Sequence, residues 1–199
     1  MSDEHDVFVH PSAVVDEGAH LGAGTKVWHF SHVSAGAQIG AGVVLGQNAF
    51  VAPTVQVGDG CRVQNNVSLY DGVILEQDVF VGPSVVFTNV RTPRAHVSRR
   101  GEYERTTVQR GASIGANSTI VCGVTLGAYC MIGAGCVVTR DVDSFALVVG
   151  HPTRQLGWVC QCGKRLGRPN PRVVCGRCDA QYMLMDDELF WINQPEELL

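Results

Sequence analysis

Large apolar residues recur at every sixth position of this chain. They run Val9, Val15, Leu21, Val27, Val33, Ile39, Leu45, Val51, Val57, Val63, Leu69, Leu75, Val81 and Phe87, then resume after a gap as Val108, Ile114, Ile120, Leu126, Ile132 and Val138. Two residues before nearly every one sits a small or β-branched residue, such as Ala13, Ala19, Ser31, Ala37, Cys61, Val67, Ala112, Ser118 or Cys130. A period of six matches neither an amphipathic helix nor a simple two-residue alternation. It matches a solenoid that makes three short flat strands per turn, each ending at a corner, with one coil stacked on the next. The pattern predicts an all-β solenoid in which every hexad sends one large residue and one small partner inward.

Residues 7–90 read as fourteen uninterrupted hexads and residues 106–141 as six more. Residues eighteen apart then occupy the same place on successive coils. One corner column reads His29, Gln47, Asn65, Pro83, beside Phe30, Asn48, Asn66, Ser84. The next face carries Ser34, Ala52, Tyr70, Thr88, beside Ala35, Pro53, Asp71, Asn89. Two readings of the amides stay open. Asn tolerates left-handed backbone and stacked amides bond one another. A strip of Gln47, Asn48, Asn65, Asn66, Tyr70 and Asn89 also offers donors and acceptors to a polar ligand.

Residues 91–105 break the repeat and hold five arginines, Arg91, Arg94, Arg99, Arg100 and Arg105. An insertion of this length leaves a solenoid from one face without disturbing the stack. It is either a solvated loop or a flap whose guanidinium groups meet phosphate or carboxylate in paired hydrogen bonds. Residues 142–157 leave the repeat again, with Gly150-His151-Pro152-Thr153-Arg154 turning away from the last coil, so the solenoid domain spans 7–157.

Residues 158–199 differ in kind. Cys160-x-Cys162 and Cys175-x-x-Cys178 are two thiol pairs with Gly163 and Gly176 beside the inner cysteines. Such pairs on tight turns suit tetrahedral zinc, and a segment this short has too little core to fold unaided. The expectation is a small zinc-ribbon-like appendage; two disulfides are the rival reading, disfavoured in a reducing compartment. Cys61, Cys130 and Cys136 take the small inward position and read as inert core thiols. Cys122 falls at a corner, where exposure is expected. Residues 186–199 suggest a short amphipathic helix or a frayed acidic tail. Because the solenoid buries its own core, truncation near Gly157 is expected to leave the repeat folded.

Composition narrows the function classes. The formal net charge of −4 argues against a nucleic-acid binder working through bulk positive charge. Residues 1–6 lack the basic-then-apolar pattern of a signal peptide, and no segment reaches the length of a membrane span. A cytoplasmic protein without membrane or nucleic-acid partners is the expectation.

Trp28-His29-Phe30-Ser31-His32-Val33, Gly46-Gln47-Asn48-Ala49-Phe50-Val51, the run from Val63 to Val73 and Gly82-Pro83-Ser84-Val85-Val86-Phe87-Thr88-Asn89-Val90 follow one another at fixed intervals. With Glu102-Tyr103, Gly111-Ala112-Ser113-Ile114-Gly115-Ala116-Asn117 and Ile120-Val121-Cys122-Gly123-Val124, this ordered set resembles the UDP-2-acetamido-3-amino-2,3-dideoxy-glucuronate N-acetyltransferases and related acetyltransferases of dTDP-3-amino sugars. The resemblance covers roughly residues 7–158. Thr92, Asp143 and His151 depart from the family pattern, at the loop and at the coenzyme end.

The resemblance implies a left-handed parallel β-helix, a homotrimer, and acyl-coenzyme A lying in the groove between subunits. It implies transfer of acetyl from acetyl-coenzyme A to the 3-amino group of a nucleotide-linked sugar, as a step of surface polysaccharide synthesis. Asn89 is then the first candidate for holding the amine or acyl oxygen, and His29 the candidate general base. Gln47, Asn48, Asn65, Asn66, Tyr70, Arg94 and Glu102 are the expected sugar-nucleotide contacts. Gly115, Ala116, Cys122, Gly133, Arg140 and Arg154 are the expected coenzyme contacts. Cys160, Cys162, Cys175 and Cys178 remain the zinc ligands read from spacing alone. Two other classes compete. A carbonic anhydrase on this scaffold needs three converging histidines, for which only His29, His32 and His96 are available. A non-catalytic binding scaffold has no use for the polar strip and flap.

Overall fold

The computed structural model describes residues 6–193. Its solenoid is a left-handed parallel β-helix of eight levels, and no α-helix occurs among the described residues. One sheet stacks Phe8–Val9, Lys26–Val27, Val44–Leu45, Arg62–Val63, Phe80–Val81, Ser113–Ile114, Met131–Ile132 and Ala146–Val149. A second runs from Val14–Val15 through His32–Val33, Phe50–Val51, Ser68–Leu69 and Val86–Phe87 to Thr119–Ile120 and Val137–Val138. The third runs from His20–Leu21 to Thr125–Leu126.

The register explains why the period survives the insertion. Lys26 pairs with Val44, eighteen residues on, whereas Val86 pairs with Thr119 and Val73 with Thr106, both displaced by the further fifteen residues of the loop. Every side chain therefore keeps its face across the break. The inward column from Val27 to Val138 is buried, with Val33, Leu45, Val63, Leu69, Val81, Ile114 and Ile120 fully enclosed. The small inward partner often carries a hydroxyl, and the coil gives it an acceptor. Thr25 Oγ1 donates to the Gly40 carbonyl (2.8 Å), Ser31 Oγ to Gly46 (2.8 Å) and Ser118 Oγ to Gly133 (3.0 Å). Those bonds remove the cost of burying a polar atom.

The corner after the first sheet takes a left-handed backbone on six successive levels. Phe30, Asn48, Asn66, Ser84 and Asn117 all sit at φ between 57° and 60°, and Gly135 at 69°. Asn is the non-glycine residue that adopts this region most readily. A different corner demands close approach: a Cβ on Gly58 would lie 2.6 Å from the Glu76 carbonyl carbon and 2.7 Å from the Gln77 nitrogen.

The two ends differ. Among the described residues the inward position of the first coil, Val9, is exposed. The far end is closed by the C-terminal segment, which begins inside the β-helix: Arg154–Trp158 pairs antiparallel with Ala146–Val149 in the first sheet. Residues 142–157 thus leave the six-residue repeat while adding strands to the first sheet. Arg172–Val174, Gln181–Met185 and Glu188–Asn193 then form a three-stranded antiparallel sheet. Phe145 is the junction, stacked on Tyr129 (5.4 Å) and edge-on to Tyr182 (5.2 Å) and Trp191 (6.1 Å). The expectation of a helix or frayed tail after Asp186 is corrected: a turn at Asp186 and Asp187 returns the chain as a strand to Asn193, and 194–199 lie outside the described residues. Truncation near Gly157 would uncover Phe145 and Tyr129, against which Tyr182 and Trp191 pack.

Close stacking at the glycine corner predicts that Gly58→Ala lowers stability by about 2–3 kcal/mol, because the new methyl meets backbone that cannot yield. Gly176→Ala, with nothing within 4 Å and ordinary φ, should stay within about 0.5 kcal/mol. Chemical denaturation of the two variants checks the contrast.

Candidate functional site

The second sheet is a face bounded by two corners, and the polar residues singled out by sequence line both. At the first corner, His29, Gln47 and Asn65 stack in one column, which Ala116 continues two levels above Asn65 with Gly115 beside it. At the second corner the strand register stacks Asn89, Cys122 and Arg140 on three successive levels. His29 and Asn89 stand at different corners and three levels apart, about 14 Å along the axis at the usual strand spacing. One chain does not bring the two catalytic candidates together.

His29 stacks on His10 (ring centroids 3.5 Å) and borders a hollow of about 270 Å³ with Trp28, Gln47, Gln64 and Asn65. Lost hydration in that stack, and then the charge of His29, hold the His10 imidazole below its usual range. The amide ladder is real. Asn48 Nδ2 donates to Asn66 Oδ1 (3.1 Å), and the Gln47 N–H donates to Asn65 Oδ1 (2.9 Å). Asn48 and Asn66 thus bond each other and Asn65 Oδ1 satisfies a corner N–H, while the Asn65 amide nitrogen and the Gln47 side chain make no hydrogen bond to the described residues. Tyr70 stands exposed at the second corner, its ring 5.9 Å from Phe50.

The inserted loop is tied at its neck. The Glu104 N–H donates to the Asn89 carbonyl (3.1 Å), and Arg91 Nε lies 2.9 Å from both Glu104 carboxylate oxygens. The pair seats on Gly123: a Cβ there would collide with the Glu104 carboxylate and lie 2.8 Å from an Arg91 nitrogen. The carboxylate in turn raises the Arg91 guanidinium above its usual value, first through that hydrogen bond and then through charge. Glu102 pairs with Arg99 (3.0 Å) within the loop, so its carboxylate already has a partner. Arg94 donates only to the Pro93 carbonyl (3.0 Å) and has no carboxylate partner among the described residues.

The expected coenzyme contacts divide. Gly115 and Gly133 have a structural reason to be glycine, since a Cβ on either would lie 2.5 Å from the Ala134 nitrogen or 2.9 Å from a Val149 methyl. Arg140 and Arg154 are exposed at the last levels. The exposure expected for Cys122 at its corner is corrected: the residue is fully buried, and its N–H donates to Thr88 Oγ1 (2.9 Å). Cys61 and Cys130 are buried as expected, and burial pushes their thiols up to about 11 and about 12.

One pair escaped the sequence reading. His32, taken as a mere outward neighbour, points from the second sheet with Nε2 3.1 Å from Asp16 Oδ2 and its ring 5.6 Å from Phe50. The signal was the sixteen-residue offset, one coil less the two steps from strand to corner. Asp16 thus gives His32 a carboxylate partner, and no carboxylate among the described residues pairs with His29. His29, His32 and His96 form no shared cation site among the described residues, where only Cys160, Cys162, Cys175 and Cys178 gather as potential ligands.

These four sulfurs lie within 4.8 Å of one another, with Cys160 to Cys178 at 3.3 Å and Cys162 to Cys175 at 3.7 Å. The distances are far too long for disulfides. Four thiolates at about 2.3 Å from a tetrahedral zinc stand about 3.8 Å apart, so the donor set fits that ion. Burial pushes the Cys175 thiol up, but the N–H groups of Arg177 and Cys178 outweigh it and bring the thiol down to about 7. Tyr182, fully buried, places its hydroxyl 3.1 Å from Cys160 Sγ and accepts from the Gln161 N–H.

Comparison with known proteins agrees with the repeat. The bacterial transferase hexapeptide family (six repeats) matches residues 18–53 and 105–140, and the hexapeptide repeat of succinyl-transferase matches residues 36–71. The chain is 49% identical over 84 residues to the dTDP-3-amino-3,6-dideoxy-alpha-D-galactopyranose 3-N-acetyltransferase of Aneurinibacillus thermoaerophilus, covering 42% of this chain and 43% of that one. It is 34% identical over 143 residues to the bifunctional protein GlmU of Sorangium cellulosum, covering 72% of this chain and 28% of the relative. The matches therefore span less than half the length of either relative. A maltose O-acetyltransferase from Clostridium difficile 630 has the same fold, with a TM-score of 0.52 and 23% identity over 59% of this chain and 67% of that one. The chain thus carries hexapeptide repeats of those two kinds, within residues 18–71 and 105–140.

The neck pair predicts a loop that loosens when it is cut. Glu104→Ala should raise the rate of tryptic cleavage at Arg94, Arg99 and Arg100 severalfold, with the β-helix unfolding transition little changed; limited proteolysis followed by mass spectrometry reads both.

Proposed function

We propose that the protein transfers acetyl from acetyl-coenzyme A to the 3-amino group of a nucleotide-linked sugar. The observation that carries this is the 49% identity over 84 residues to a dTDP-3-amino-sugar 3-N-acetyltransferase. The polar lining of both corners of the second sheet supports it. That relative favours a thymidine nucleotide; Arg94, free of any carboxylate partner among the described residues, favours a sugar that carries a carboxylate, as in the UDP-glucuronate substrate. Acetylation of a panel of dTDP- and UDP-linked 3-amino sugars, read by mass spectrometry, decides between them.

The chemistry needs little from a protein base. The substrate ammonium loses one proton and the neutral nitrogen attacks the thioester carbon. The C–S electron pair leaves on sulfur, and the second amine proton neutralises the thiolate. A thioester is already activated, so alignment and stabilisation of the tetrahedral oxyanion dominate. Asn89 suits that role, because the neck of the loop fixes its carbonyl and leaves the side-chain amide to hold amine or acyl oxygen. Arg94 and Tyr70 would meet the sugar nucleotide, with His29, Gln47 and Asn65 from the other corner. The separation of the two corners supports assembly as a homotrimer, in which one chain's first corner faces a neighbour's second. Arg140, on the Asn89 corner two levels above, would meet coenzyme phosphate.

The four cysteines would hold a structural zinc. The ion would supply cross-linking of the two turns, and through Tyr182 and Phe145 it would brace the cap on the last coil.

Asn89→Ala should lower turnover by roughly one to three decades, as for loss of one oxyanion-type contact. His29→Asn should cost less, and the rate should still rise with pH as the substrate amine deprotonates. Abolished turnover in His29→Asn beside a nearly silent Asn89→Ala would reverse the assignment. Elemental analysis of protein purified without chelator should give close to one zinc per chain. Ordered, protease-resistant 158–193 in metal-free protein would refute the metal.

A further inference from the structure

The strongest charge segregation lies where the β-helix meets its cap. Residues 154–177 contain Arg154, Lys164, Arg165, Arg168, Arg172 and Arg177, six of the fifteen Lys and Arg, and no Asp or Glu. The remainder of the chain holds nine basic residues against nineteen acidic ones. None of the six makes a salt bridge among the described residues. Unpaired guanidinium groups gathered in an acidic protein repel one another, so their clustering opposes stability unless an anion joins them.

The same segment borders a hollow at the end of the β-helix. About 630 Å³ lies between the last strand of the first sheet and the loop joining the two cysteine pairs, bordered by Gln155, Trp158, Arg165, Arg168, Leu184 and Asp187 among others. That volume suits a nucleotide-sized ligand. Its chemistry is that of a phosphate site with one acceptor. Arg165 is held in place by donating Nη2 to the Leu156 carbonyl (3.1 Å), which leaves its other donors free. Arg168 makes no hydrogen bond to the described residues. Asp187 is the single carboxylate on the wall, positioned to accept from a ribose hydroxyl or an exocyclic amine while the two guanidinium groups meet phosphate oxygens. The cysteine pairs at 160–162 and 175–178 clamp both ends of the loop that carries Arg165, Arg168 and Arg172.

We infer that this hollow, between the end of the β-helix and the cysteine-rich cap, binds the phosphate groups of a nucleotide. The inference rests on the acetyltransferase reading only for the source of the nucleotide, which is either the coenzyme or the sugar donor. It assigns the cap a binding role beyond closing the solenoid, and it makes the order of the cysteine-held loop a requirement for that role.

Calorimetric titration of the full-length, metal-replete chain tests it, with coenzyme A, 3′-dephospho-coenzyme A, dTDP and UDP as separate probes. Arg168→Ala should weaken at least one nucleotide about tenfold or more, and Arg168→Glu further, while the thermal transition stays in place. Rising salt should weaken the wild type more than Arg168→Ala. Loss confined to coenzyme A, with the dephospho form spared, identifies the coenzyme's 3′-phosphate as the ligand; loss confined to dTDP or UDP identifies the sugar donor. Equal affinities of wild type and both variants for all four probes would overturn the site. Arginine-dependent binding without acetyl transfer to any 3-amino sugar would instead sink the acetyltransferase reading and leave the site standing.

Discussion

In-register parallel pairing between coils eighteen residues apart is the constraint from which the rest follows. Each strand contributes only two or three residues, so no single strand is stable alone, and the ladder must continue through every level to satisfy the backbone. That continuity stacks Val27 on Leu45, Val63, Val81, Ile114 and Ile132 in one buried column. It also forces the corners into one conformation each, which is why left-handed φ recurs from Phe30 through Asn117 at the same place. An insertion is tolerated only where the chain can leave and return to the same register, as the loop between Phe87 and Thr106 does.

Corner residues consequently answer to two demands. Asn48 and Asn66 hold a left-handed backbone and bond each other, so their amides are largely consumed by structure. Asn89 escapes this because the loop departs there: its carbonyl takes the Glu104 N–H, and its side chain is left to project at the level where the repeat is interrupted. The Arg91–Glu104 pair is solvent-accessible and contributes little stability of itself. Its place above Gly123 gives it a geometric role, fixing where the loop leaves and so where Asn89 stands.

A solenoid has two open ends, and the chain treats them unequally. At the N-terminal end Val9 is exposed among the described residues, whereas Phe145 and Tyr129 at the other end are covered by Tyr182 and Trp191. The cap's own core is small, and Tyr182 joins its cysteine cluster to that aromatic junction through one hydroxyl. A cap built this way leaves its loops exposed, and the basic loop borders a hollow of about 630 Å³.

The repeat was fully legible in sequence because its signal is local and redundant: twenty apolar positions at one spacing admit a single stacking. The four cysteines were legible for a similar reason, since two close pairs need only one fold of the chain to meet. Columns of residues were legible as well, because an eighteen-residue coil is arithmetic. Side-chain direction was not. Cys122 occupies a corner position that sequence reads as exposed, yet it is fully buried, next in the chain to the Gly123 on which the Arg91–Glu104 pair seats. Glu102 looks free in sequence and is taken by Arg99; His32 looks idle and is held by Asp16. Tertiary structure also decided that residues 154–158 form a strand of the solenoid and that the tail is its lid. Those outcomes depend on which unsatisfied backbone edge and which aromatic surface the last coil presents, and neither exists until the coils beneath have stacked.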